Sequence, residues 1–169
     1  MPVRHRQHDR RARGVLALVL ATALLAGCTG LDGDSDATSV FDLEPGACVL
    51  APEHEDVAVE LSEVTTVPCE EPHQLEVFAL VDFPEQAGTG ATQAGSTFPG
   101  DAPLKDFADG ACAEQFATYV GIDYRDSELF FTYLVPSARS WQAENDRTVL
   151  CLITTTGEEL TQSVAGTGW

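Results

Sequence analysis

Val15 to Ala26 reads VLALVLATALLA, an unbroken run of apolar and small residues behind an arginine-rich start. A helix crossing a bilayer core needs about 20 apolar residues, and this run is much shorter. A charged beginning, a short apolar middle and small residues at its end are the pattern of an export signal that is later removed. That feature constrains everything after it. The rest of the chain is expected to fold outside the cytoplasm, where thiols oxidise.

The run ends in Leu25-Ala26-Gly27-Cys28, which resembles the lipobox of bacterial lipoproteins. The chemistry fits the spacing. Small residues let the chain lie extended in a peptidase groove, and the Cys28 thiol takes a diacylglyceryl thioether. Cleavage before Cys28 then frees an amino group for a further acyl chain such as palmitate. Each buried CH₂ adds about 0.8 kcal/mol, so several chains hold far more firmly than one. The alternative is an ordinary secretory signal with a chance cysteine, which would place all four residues correctly by accident. Arg10-Arg11 hints at the twin-arginine route, but the residues after it do not fit. The expected organisation is a signal peptide over 1–27, a lipidated, Gly- and Asp-rich flexible tether over 28–40 and a domain over 41–169. The expected location is the outer face of the cytoplasmic membrane, with Cys28 as the anchor.

Charge narrows the partners. The first 27 residues hold five of the nine basic residues and one of the 27 acidic ones, so the remainder carries four basic against 26 acidic residues. Nucleic acid is not expected as a partner, because phosphate binding needs Lys and Arg. Such a surface suits cations or basic partner patches, or serves only to keep an exposed domain soluble.

Four further cysteines remain: Cys48, Cys69, Cys112 and Cys151. Four cysteines allow three pairings. We favour Cys48–Cys69, which brackets a segment short enough to return on itself, and Cys112–Cys151, which would staple a helix to a late strand. No CxxC or HxxxH spacing appears, and the acid clusters at 53–56 and 70–71 lack EF-hand spacing, so no metal site and no cofactor are expected.

Along the domain, Phe41 to Val49 carries a turn at Pro45-Gly46, and alternation at Val57, Val59 and Leu61 and the β-branched run Val64 to Val67 read as strands. Gln74 to Phe83 is apolar on both faces in its middle, with Leu75, Val77, Ala79 and Val81 on one and Glu76, Phe78, Leu80 and Asp82 on the other; this pattern predicts a central strand. Residues 86–97 form a low-complexity loop. Leu104, Phe107, Ala108, Ala111, Cys112, Phe116, Tyr119 and Val120 follow steps of three and four, the spacing of an amphipathic helix, which Gly121 closes. Leu129 to Val135 and Arg147 to Thr155 read as strands, separated by a short helical turn that carries Trp141 and is closed by Asn145. In the tail, Leu160 and Val164 are the apolar anchors. The fold class expected is α+β: a mainly antiparallel sheet with one long amphipathic helix packed on it, stapled by disulfides.

Site chemistry is sparse. His73 follows a proline, neighbours Cys69 in the chain and sits among Glu70, Glu71 and Glu76. It is either a pH-sensitive contact or, as we favour, a structural ring capping a turn. His54 is expected to be a solvated loop residue. Trp141 with Arg139 and Arg147 suits a cation–π cluster, and Arg147 beside Asp146 suits a structural ion pair. No G-x-S-x-G is present, Ser96, Ser137 and Ser140 sit in turn contexts, and no free thiol is expected, so the chain is read as non-enzymatic.

Several of these residues fall in one order. Val67-Pro68-Cys69, Pro72-His73 and Glu76-Val77-Phe78, then Phe98-Pro99-Gly100, then Cys112 with Tyr119-Val120-Gly121, then Pro136-Ser137, Ser140-Trp141, Asp146-Arg147 and Cys151 together resemble the actinobacterial septum formation domain over roughly residues 41–165. Two departures stand out: Asn145 lies where that family usually has Gly, and the 86–97 loop is longer than typical. The resemblance implies an envelope-associated module linked by name to cell division, with no established reaction. The function expected is therefore a lipid-anchored interaction module with an envelope or division protein as partner. The alternative is a lipoprotein binding a small molecule or cell-wall fragment in a pocket near His73 and Trp141, with Arg147 as a contact.

Overall fold

The computed structural model describes residues 36–52, 61–84 and 97–169. Its elements are β1 (Asp36–Ser39), a 3-10 turn (Val40–Asp42), β2 (Cys48–Val49), β3 (Glu63–Val67), β4 (Leu75–Asp82), α1 (Asp101–Val120), β5 (Phe130–Leu134), α2 (Ala138–Ala143) and β6 (Thr148–Thr154). The strands form one antiparallel sheet in the order β1-β3-β2-β4-β6-β5, with α1 packed on one face. Among the described residues no helix is long and apolar enough to cross a membrane.

β4 is central, as its two apolar faces require, but strict alternation fails within it. Glu76 pairs with Ile153 and Val77 with Leu152, yet the next partner, Cys151, faces Ala79. Phe78 is the extra residue of a β-bulge, which resets the face of everything beyond it. Glu76, Phe78, Ala79 and Val81 therefore face the helix, while Leu75, Val77 and Leu80 face away. The faces expected for Ala79, Leu80, Val81 and Asp82 follow the simple period of two and do not allow for this insertion, whereas Phe78 shares the face of Glu76 as expected. The bulge has a packing consequence: it adds Ala79 and Val81 to the helix face beside Phe78, whose ring lies edge-on to Phe116 at 5.8 Å between centroids.

The helix spacing is realised directly. Leu104, Ala108, Cys112, Phe116 and Val120 are its buried residues, four apart along one stripe. Ala108, Cys112, Phe116 and Val120 pack on Val149, Cys151 and Ile153 of β6 and on Phe78. Truncating Phe116, the largest fully buried side chain, would cost about 3–5 kcal/mol. Gly121 ends the helix with φ 96°, its N–H donating to the Ala117 carbonyl at 3.0 Å. That left-handed conformation is open to glycine at little cost.

Two disulfides join Cys48 to Cys69 and Cys112 to Cys151. The first ties β2 to the turn after β3, and the second ties α1 to β6. Both are the pairings favoured from the sequence.

The tether expectation needs correction at its end. Asp36–Ser39 is a strand paired with β3, with Thr38 and Thr66 hydroxyls 3.0 Å apart, so the segment read as flexible includes a strand. Its polar composition hides a strand held by ladder bonds rather than by burial. The alternation at Val57 and Val59 and most of the 86–97 loop lie outside the described residues.

Candidate functional site

The pairing of β2 with β4 sets Cys48 directly opposite Glu76. His73 lies two residues before β4 and is held by paired backbone bonds to Leu160, its N–H donating at 2.9 Å and its carbonyl accepting at 2.8 Å. The His73 ring is fully buried, with Nδ1 2.8 Å from the Glu71 carbonyl. A carbonyl only accepts, so Nδ1 carries a proton, and in the neutral ring Nε2 holds the lone pair. Nε2 has no hydrogen-bond partner among the described residues.

Glu76 is also fully buried. Its Oε1 accepts from Tyr119 Oη at 2.6 Å and Ser163 Oγ at 2.7 Å, and its Oε2 accepts from the Val164 N–H at 2.9 Å. Tyr119 responds: burial, then the hydrogen bond to Glu76, pushes its phenol well above the usual tyrosine range. Cys48, His73 and Glu76 each place one ligand-type atom within 4.8 Å of the others. With Cys48 in a disulfide, that trio lacks the thiolate a soft metal would need.

A second polar group sits at the far end of β4. Ser137 caps α2 in a capping box with Ser140. Ser140 Oγ donates to Asp146 Oδ2 at 2.9 Å, and Asp146 Oδ1 accepts from the Thr148 N–H at 3.0 Å. Arg147 lies over the Trp141 ring at 3.7 Å from its centroid and donates to the Trp141 and Asp146 carbonyls at 3.0 and 2.8 Å. Phe83 and Phe98 pack edge-on against the same indole. Asn145 makes the turn with φ 54°.

Beside this cluster, on the face away from α1, lies a cavity of about 340 Å³. Its walls are mainly apolar, including Phe41, Leu61, Leu80, Leu134 and Leu150, and Ser137, Ser140, Asp146 and Thr148 supply polar groups. The volume falls within the range of small-molecule sites.

The family model for septum formation matches residues 45–168. The chain belongs to the septum formation family. Its membership ties it to septum or cell-envelope processes. No curated protein and no solved structure matches the chain. The matched segment contains both polar groups: the Cys69-to-Glu76 run builds the first, and the Ser137-to-Arg147 run builds the second.

The structure does not bring together all the residues singled out in the sequence. Trp141 and Arg147 meet, but His73 lies beyond the opposite end of β4, which is roughly 25 Å long at 3.3 Å per residue. A single pocket spanning His73 and Trp141 is therefore not formed; the cavity adjoins the turn that carries Trp141. Arg147 reaches Asp146 through its backbone carbonyl, while the Asp146 carboxylate serves Ser140 and Thr148. Cys28, His54 and the 53–56 acids lie outside the described residues. Glu76, Tyr119 and Ser163 escaped notice as a network. The signal is a carboxylate near the start of a mostly apolar strand, which must find donors if it faces the core.

Proposed function

We propose that this septum formation family member is a lipid-anchored, non-enzymatic interaction module held at the outer face of the cytoplasmic membrane through Cys28, where it docks an envelope or division protein. The observation that carries the reading is the family match over residues 45–168 set behind Leu25-Ala26-Gly27-Cys28. Two disulfides suit an oxidising compartment. The experiment is fractionation and acyl labelling of the full chain and of Cys28→Ala, followed by capture of partners with the lipidated form. The wild-type chain should be labelled and sediment with membranes. The variant should be released or left uncleaved. A Cys28→Ala chain still cut at the same bond and still membrane-bound would sink the reading.

A second reading rests on the cavity lined by Leu80, Leu134, Leu150 and Asp146. It makes the protein a carrier of a small amphipathic molecule or cell-wall fragment, with the apolar part against the leucines and a donor group toward Asp146. Titrating soluble cell-wall fragments while following amide resonances of β4, β5 and β6 tests it. Unchanged spectra at saturating fragment would remove it.

A further inference from the structure

His73 and Glu76 combine features that a purely structural corner does not need. The imidazole is fully buried, its tautomer is fixed by the Glu71 carbonyl, and its lone-pair nitrogen has no partner among the described residues. A ring nitrogen proton given to a backbone carbonyl is the arrangement that orients histidines toward metals. Glu76 is fully buried, and among the described residues the groups bonded to its carboxylate are three neutral donors, Tyr119, Ser163 and the Val164 N–H. Cys48, opposite Glu76 in the sheet and also buried, completes a trio whose ligand-type atoms lie within 4.8 Å of one another.

We propose that reduction of the Cys48–Cys69 disulfide opens a buried site for a thiophilic divalent cation of the Zn²⁺ type, ligated by the Cys48 thiolate, the His73 imidazole and the Glu76 carboxylate. In the oxidised chain Cys48 Sγ is bonded to Cys69 and offers no thiolate, so the disulfide and the metal exclude one another. The chemistry balances with a dithiol reductant. Its two thiols become a disulfide, giving two electrons and two protons, and Cys48 and Cys69 become thiols. Cys48 then releases its proton to solvent as the cation binds.

Bond lengths of about 2.0–2.3 Å put tetrahedral Zn²⁺ ligands roughly 3.3–3.8 Å apart, so the trio, within 4.8 Å, needs to close by no more than roughly 1–1.5 Å. Freeing Cys48 to rotate supplies that movement. One thiolate and one carboxylate neutralise a divalent charge, which a buried cation requires. Cys69, released in the same step, or a water takes the fourth position. Thiolate with imidazole selects Zn²⁺ over Ca²⁺ or Mg²⁺, which prefer oxygen alone.

The test uses the full chain with Cys28→Ala and Cys69→Ser, so that Cys48 is the single free thiol and Cys112–Cys151 stays closed without reductant. Co²⁺ should give a thiolate-to-cobalt charge-transfer band at one metal per chain, displaced by equimolar Zn²⁺. Adding His73→Gln should weaken Zn²⁺ binding by about tenfold or more, and the oxidised chain should show no band. An absent band, equal affinity without His73, or equal binding by the oxidised chain overturns the proposal. If Cys69→Ser does not fold, phosphine-reduced chain with and without His73→Gln gives the same readouts, and a chain that unfolds whenever Cys48 is freed overturns it as well.

Discussion

Tyr119 donates its hydroxyl to Glu76 at 2.6 Å, joining the last turn of α1 to the start of β4. The same carboxylate holds Ser163 and the Val164 N–H, so one buried side chain fastens helix, central strand and tail together. The core alone would bury Val164 and Val120, but it would not fix the tail's register against the sheet.

Tyr119→Phe keeps the ring and removes one donor. A hydrogen bond to a charged group is worth about 1.5–3 kcal/mol net, so the variant should lose about that much at neutral pH. The sign with pH follows from the raised phenol. Folding favours the protonated form, so the contribution is complete below the ordinary tyrosine range, near pH 10, and fades as pH rises toward the folded value. Denaturant melts should therefore show wild type losing stability above about pH 10 more steeply than the variant. Parallel curves there would refute the coupling.

Element types were legible because the patterns that encode them are local. The stripe from Leu104 to Val120 and the β-branched runs state their partners' geometry outright. The Phe78 bulge was not legible, because it serves packing across the fold: it sets Ala79 and Val81 beside Phe78 on the helix face, against residues such as Phe116, 38 positions after Phe78 in the sequence. The polar strand β1 was hidden for a similar reason: Asp36–Ser39 has no apolar face and depends on β3. The site behaves alike. Cys48 and Glu76 meet only through strand register, whereas metal motifs read along a chain look for ligands a few residues apart.

Asn145 holds φ 54° between α2 and β6. Asparagine tolerates this region and glycine does so without a Cβ penalty, whereas other residues pay roughly 1–2 kcal/mol. Asn145→Gly should therefore leave the melting temperature within a few degrees of wild type, and Asn145→Ala should lower stability by about 1 kcal/mol. An alanine variant as stable as the glycine one would show that the turn relaxes.

Arg147 should act through its fork and its plane together. It covers Trp141 at 3.7 Å and bonds two carbonyls, a combination that an ammonium cannot reproduce. Arg147→Lys should cost about 1–2 kcal/mol, on the scale of a desolvated cation–π contact, and should alter Trp141 fluorescence in the folded state. Equal stability and unchanged emission would assign the cluster no energetic role.

The two disulfides should differ in weight. Cys112–Cys151 closes a separation of 39 residues, Cys48–Cys69 one of 21. In the chain-entropy model these contribute about 4 and about 3 kcal/mol. The longer bridge also lies in the core, with both cysteines fully buried between α1 and β6, so its removal leaves poorer packing as well. Cys48 is buried but Cys69 is only partly so, and solvent can relax around it. Replacing each pair by alanines and comparing urea midpoints should therefore rank Cys112Ala/Cys151Ala as the less stable. The opposite ranking would mean that the corner at Cys48 and His73, rather than the helix-to-sheet staple, holds the fold.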